Sequence, residues 1–197
     1  MKREPFQWAN AHYVTDQLLV GGDIDCYNDT LARRQVVELF ESGVTHIIDC
    51  REEMSDEDVW DDVPEIDFRW HPVDDAGQQV PGSWFDAGVD PILEALKDPS
   101  ALVLTHCHMG INRGPSLGFA VLLALGWDPV AAIDAIRSAR SIANVYYAED
   151  ALAWWHRRSE ASPQWRTSER NRLAAWRDEN RLDVRHIIAG IRDQEAS

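Results

Sequence analysis

THCHMGINRGPS, residues 105–116, lies between two apolar runs, ALVL (101–104) and SLGFAVLLALG (116–126). The first run has the length of a buried strand and the second that of a buried helix. The stretch therefore reads as strand, glycine-bearing loop, helix N-terminus. That arrangement turns backbone N–H groups toward an anion. Cys107 falls where the strand ends and Arg113 where the helix begins, with five residues between them. A thiol in such a cradle is favoured as thiolate, and an Arg there can grip a phosphate with two parallel hydrogen bonds.

Outward from this loop, strands alternate with helices. HYVTDQLLV (12–20) predicts a strand or hairpin ended by Gly21-Gly22. Asn28, Asp29 and Thr30 are cap candidates for a helix over 31–41. VTHIIDC (44–50) predicts a buried strand and IDFRWHPV (66–73) another. Ser83 is expected to cap a helix over 84–97, and Asp128-Pro129 to open one over 129–140, followed by one over 146–159. The implied class is α/β: a mostly parallel central sheet of four to five strands flanked by helices. Ligands of such sheets bind beyond the carboxyl ends of the strands, where 49–52, 74–80 and 106–113 gather. From residue 160 onward the chain turns Arg-rich, with Trp165, Leu173, Trp176, Ile187 and Ile188 spaced for one or two amphipathic helices. The expected organisation is thus a domain over 1–159 and a C-terminal helical extension over 160–197, packing on the domain or on a second copy as a homodimer.

Bulk properties narrow the partners. The 197 residues suit one domain with a sizeable core, and a 45% hydrophobic fraction with nine Trp argues against disorder. Asp plus Glu outnumber Lys plus Arg by 34 to 19, a net charge of −15, which disfavours nucleic acid and anionic membranes as partners. No apolar run is long enough for a bilayer span, and the N-terminus lacks a signal core. Three Cys, at 26, 50 and 107, suit a reducing, cytoplasmic setting rather than a disulfide framework. Between 52 and 75 there are eleven acidic residues against one Arg. That stretch reads either as a solvated loop or as a negative rim that favours basic substrates.

The chemistry these residues suit is phosphoester cleavage through a phosphocysteine. Cys107 would attack phosphorus. The backbone of His108, Met109, Gly110, Ile111 and Asn112, together with Arg113, would bind the phosphoryl oxygens, each well-placed donor being worth about a hundredfold or more. His106 would hydrogen-bond the loop backbone and fix its shape. The leaving oxygen needs a proton from a facing acid, for which Asp74 and Asp75 are the candidates. Asp49, at a strand end, could orient the loop or Arg113, or simply cap the strand. Adjacent His106, Cys107 and His108 make a poor chelate, so no metal and no cofactor are expected.

These residues resemble the dual-specificity subgroup of the cysteine-based protein tyrosine phosphatases, whose signature is His-Cys, five residues with Gly third, then Arg. The likeness covers about residues 12–158: LLVGG (18–22), SGVTHIIDC (42–50), Pro72-Val73-Asp74-Asp75 with Trp84-Phe85 at the matching distance, and ARSIAN (139–144). It implies a phosphorylated protein substrate bearing phosphotyrosine or phosphoserine/threonine, and it selects Asp75 as the acid. In some members a Cys at the matching strand end forms a reversible disulfide with the nucleophile, so Cys50 reads either as a redox partner for Cys107 or as a packed small core residue. Two other readings stand beside it: a phospho-binding pseudo-phosphatase module, and a phosphatase of phosphoinositides or RNA 5′-phosphates. Members directed at phosphoinositides tend to carry Lys inside the signature, where this loop has only His108. One position departs from the pattern. Ser or Thr usually follows the Arg and assists release of the thiolate; here Gly114 follows, with Ser116 two residues on as a substitute.

Overall fold

A computed structural model of the chain describes residues 4–60 and 62–195. Five strands form one sheet: β1 (Ala11–Tyr13), β2 (Leu18–Gly21), β3 (His46–Arg51), β4 (Asp67–Val73) and β5 (Val103–His106). Their order is β1-β2-β5-β3-β4. β2, β5, β3 and β4 run parallel, and β1 returns antiparallel to β2. The sheet is therefore mixed: HYVTDQLLV folds as a tight hairpin, whose short connection permits only an antiparallel edge.

Alternation along the strands divides the core in two. Leu18, Val20, Ile48 and Cys50 face a cluster built with α3 (Gly82–Ala95), α4 (Arg113–Ala124), α5 (Pro129–Ala139) and α6 (Ala148–Arg158). Leu19, Ile47 and Leu104 face the other side, covered by α1 (Asp29–Glu41) and α2 (Glu57–Trp60) through Leu39 and Trp60. α4 is buried along nearly its whole length, which is why its sequence is apolar all round rather than striped. Each fully buried Leu, Val or Phe contributes about 1.5–3 kcal/mol by removal from water.

Two of the expected caps form, while α3, α4 and α6 begin without a side-chain cap. Asn28 accepts from the amides of Thr30 and Leu31, and Asp128 from those of Val130 and Ala131. Ser83, expected as a cap, lies inside α3, which starts at Gly82 behind Pro81 without a side-chain cap. The charged stretch 52–67 is not simply solvated, since Asp56 and Trp60 are both buried in it. The C-terminal segment forms α7 (Pro163–Glu179) and α8 (Val184–Glu195). α7 packs on α5 and α6, placing Leu173 and Trp176 in the same core cluster as the sheet. His156 of α6 and Glu169 of α7, both buried, pair at 2.7 Å.

β5 sits in the middle of the sheet, so the loop that follows it opens between the carboxyl ends of β2 and β3. Gly21 and Asp49 stand in register with His106 on either side. Everything needed for a site is brought to that edge.

Candidate active site

Residues 107–112 curl into a loop whose carbonyls are almost all bonded outward. His108 O accepts from the Asp23 amide (3.0 Å), Met109 O and Gly110 O from the Arg140 guanidinium (2.8 and 2.7 Å), Ile111 O from the amides of Asn144 and Val145 (2.8 and 3.1 Å), and Asn112 O from that of Ser116 (2.8 Å). A peptide N–H points opposite to the C=O of the same unit. Anchoring the carbonyls outside therefore turns the amides of 109–113 to the inside of the curl, where α4 adds the partial positive charge of its N-terminus. Gly110 has φ +62, and a Cβ there would lie 2.5 Å from the Gly21 backbone. The loop passes too close to β2 for any other residue at that position.

Cys107 lies at the base of this curl, 2% exposed. Arg113 begins α4 and is held by an unexpected partner. Glu53 accepts from Nη1 at 2.6 Å and from Nη2 at 2.7 Å, and Val73 O takes Nη1 as well (3.3 Å). Nε of Arg113 is buried with no hydrogen-bond partner among the described residues. Burial alone would lower the Arg113 pKa. Its bonds to Glu53 and the charges of Cys107, Glu53 and Asp75 more than offset that and raise it. The same hydrogen bonds, against some burial, bring the Glu53 carboxyl down to about 2.

Asp75 faces the loop from the β4–α3 connection. Its carboxylate accepts from the Tyr147 hydroxyl (3.0 Å) and from Asn112 Nδ2 (3.5 Å to each oxygen), and it lies 3.7 Å from Arg113 Nε. Asp74 meets Tyr147 and Gln78 only through its main-chain carbonyl. Of the two candidate acids, Asp75 is the one brought to the loop. Burial, then the charge of Asp75 and the bond to it, raise the pKa of Tyr147.

Two of the supporting residues, His106 and Asp49, do not hold the loop. His106 does not brace the loop: Nδ1 is buried without a hydrogen-bond partner among the described residues, and Nε2 lies 3.9 Å from Asp49 Oδ1. Burial lowers its pKa despite nearby carboxylates. The bracing is done by Arg140, whose own pKa burial lowers to about 10 against the opposing charge of Cys107. Asp49 touches neither the loop nor Arg113. It receives Arg51 through Nε (3.0 Å) and Nη2 (2.8 Å), and Arg51, fully buried, also holds Asp56 (2.5 Å) and Asp23 (3.1 Å). Ser116 Oγ accepts from the Tyr147 amide at 3.3 Å.

Asp49, Asp56 and His106 bring potential ligand atoms within 4.8 Å of one another. Arg51 already lies on both carboxylates and supplies one positive charge to that corner.

Gly114 has a steric reason. A Cβ there would fall 2.7 Å from Cα and C of His106 and 2.9 Å from Thr105 O. α4 lies directly on β5, and the carbonyl of Gly114 is fastened to it by Thr105 Oγ1 (2.9 Å).

Cys50 and Cys107 are both buried and free. Burial, then the charge of Cys107, then that of Asp49 push the Cys50 thiol well up.

Glu53, Tyr147 and Arg140 are the site residues that the sequence reading did not assign. Glu53 was hidden within a long acidic run, and nothing local distinguishes it from its neighbours. Arg140 sits in the ARSIAN stretch, where a buried Arg is the available signal.

No family model and no curated protein sequence matches the chain. Solved structures do. Human DUSP28 aligns at 17% identity over 76% of this chain and 95% of its own, with a TM-score of 0.61. Tk-PTP in the active form aligns at 16% over 77% and 99%, TM-score 0.62. PTPMT1 in complex with PI(5)P aligns at 20% over 76% and 99%, TM-score 0.57. The chain has the fold of the dual-specificity phosphatases.

Proposed function

We propose that the chain is a cysteine-dependent phosphatase that hydrolyses phosphomonoesters on proteins, at phosphotyrosine and phosphoserine/threonine. The observation that carries this reading is the convergence at the carboxyl edge of the sheet of the 107–113 stretch, with Cys107, the inward amides and Arg113, and Asp75 from the β4–α3 connection more than thirty residues upstream.

The geometry supports a two-step route. The phosphoryl oxygens take the loop amides and the unpaired Nε of Arg113, charges and dipoles already in position before the reaction. Cys107 Sγ forms a bond to phosphorus opposite the leaving oxygen. As the P–O bond breaks, Asp75 delivers its proton to that oxygen. In the second step Asp75, now a carboxylate, takes a proton from water as the water oxygen bonds to phosphorus and the thiolate departs. Gly114 brings no hydroxyl to this departure, so breakdown of the phosphocysteine is the slow step. Ser116 Oγ accepts from the Tyr147 amide and keeps its proton as the remaining hydroxyl donor on α4's first turn.

The alternative of a phosphoinositide substrate draws on the fold shared with PTPMT1. Glu53 and Asp75 beside the loop, with no Lys inside it, favour a protein substrate over a polyanionic headgroup. The test is brief mixing of wild type and Cys107→Ser with a phosphotyrosyl peptide and with a phosphoinositide, followed by mass spectrometry. Phosphate on Cys107 and peptide turnover support the proposal. Wild type no faster than Cys107→Ser leaves only a binding module, and turnover of the lipid alone moves the substrate class.

A further inference from the structure

One turn, residues 144–147, touches both halves of the site. Val145 occupies φ +50 and is fully buried. A β-branched residue is rarely found in that region, and it stays there only where its surroundings leave it no alternative. The surroundings here are specific. The amides of Asn144 and Val145 both donate to Ile111 O in the nucleophile loop. The carbonyl of Val145 accepts from the Ala148 amide (3.0 Å) and from Nη1 of Arg177 (3.0 Å). Two residues on, the Tyr147 hydroxyl reaches Asp75.

Arg177 belongs to α7, outside the stretch that carries the family resemblance. It is set on a firm base. Its neighbour Trp176 lies in the core cluster under the Arg137 guanidinium (5.4 Å to the ring centre), and Arg137 bonds Ala143 O (2.7 Å) and Asn180 O (3.0 Å). α7 is thus tied to the 140–147 segment from two sides.

We propose that Arg177 is a positioning residue for the active site: by fixing the Val145 carbonyl it sets the turn that aligns the nucleophile loop through Ile111 and the acid through Tyr147. The C-terminal helix is then part of the catalytic apparatus rather than an attachment to it. Without the bond from Arg177, Val145 relaxes toward negative φ, the Ile111 carbonyl loses its pair of donors, and Tyr147 withdraws from Asp75. The proposal rests on the phosphatase reading and refines it.

A leaving-group comparison in the full chain tests it. Phenyl phosphate needs the proton from Asp75, and p-nitrophenyl phosphate, with its more acidic phenol, needs it far less. Arg177→Met is expected to lower kcat about tenfold or more on phenyl phosphate and about threefold on p-nitrophenyl phosphate. Arg177→Lys, which keeps a donor, restores both rates to within about threefold of wild type. Tyr147→Phe is expected to lower kcat about tenfold on phenyl phosphate and about threefold or less on p-nitrophenyl phosphate. Thermal melts separate misfolding from misalignment, and Tyr147→Phe carries the test if Arg177→Met does not fold. Wild-type rates in Arg177→Met, or equal losses on both substrates, overturn the positioning role while leaving the phosphatase reading intact. A wild type inactive on both substrates overturns the phosphatase reading and this inference with it.

Discussion

Glu53 and Arg113, sixty residues apart in the chain, form a two-pronged ion pair in which the carboxylate takes both terminal nitrogens of the guanidinium and leaves Nε without a hydrogen bond among the described residues, 3.7 Å from Asp75. The pair converts a long flexible side chain into a fixed one, with its remaining donor beside the phosphate loop.

Glu53→Gln is expected to lower kcat/KM on aryl phosphates about tenfold, through loosened placement of Arg113. The pair also leaves a pH signature. Arg113 holds the Glu53 carboxyl at about 2, below its ordinary value. Its stabilisation is therefore complete above about pH 4.5 and is lost as pH falls toward 2. With 49% of the Glu53 side chain exposed, solvent screening keeps this below about 1 kcal/mol. Acid-unfolding curves of wild type and Glu53→Gln should differ above pH 4.5 and converge near 2; coincident curves throughout would contradict the assignment.

Asp75 and its neighbour give a sharp contrast. Asp75→Asn should cost on the order of 10²–10³ in kcat on phenyl phosphate. Asp74→Asn should stay within about twofold of wild type, because only its main chain is engaged. Steady-state rates on the two variants check this, and an inactive Asp74→Asn with an active Asp75→Asn would reverse the assignment.

Gly114 offers no space for the hydroxyl that would speed release of the thiolate. Gly114→Ser is expected to destabilise the fold by about 1–3 kcal/mol through overpacking against the His106 backbone. That corresponds to about 2–4 °C of melting temperature per kcal/mol. Stopped-flow traces of wild type should show a burst of one product per enzyme before a slower steady state. A faster, equally stable Gly114→Ser would show that the glycine answers to chemistry rather than to packing.

Arg51 neutralises a buried set of carboxylates. Arg51→Met should cost about 3–5 kcal/mol, since it strands Asp49 and Asp56 without a counter-charge. Urea denaturation measures this directly. A loss under about 1 kcal/mol would mean that water replaces the guanidinium.

The strand–loop–helix unit around Cys107 and the parallel strands were legible because each depends on local pattern: a β-branched run, an apolar run, a glycine between two polar ends. Local pattern left Asp74 and Asp75 equal, and the preference for Asp75 came from the family resemblance. Other roles were hidden because they depend on which distant groups the fold brings together. Glu53 looks like any member of an acidic run until β3 and α4 place it against Arg113. Asp49 seemed free to orient the loop, but Arg51, two residues away on the same strand, lies closer and claims it. His106 precedes the nucleophile in every reading of the motif, yet the loop backbone is fastened by Arg140, whose link to Gly110 spans thirty residues of sequence. The β1–β2 edge shows the same limit, since the pattern allowed either a strand or a hairpin.

The outward fastening of five successive carbonyls has a thermodynamic consequence. Ordering the loop is settled when the chain folds, so an incoming phosphoryl group meets a finished mould and loses little to induced ordering. The mould recognises the three oxygens, not the group they are attached to. On the proposed reading free orthophosphate is the product and carries the same oxygens, so it should compete for the mould as it accumulates. Turnover would then slow in proportion to the enzyme's own output, and removing phosphate from the assay should restore the initial rate.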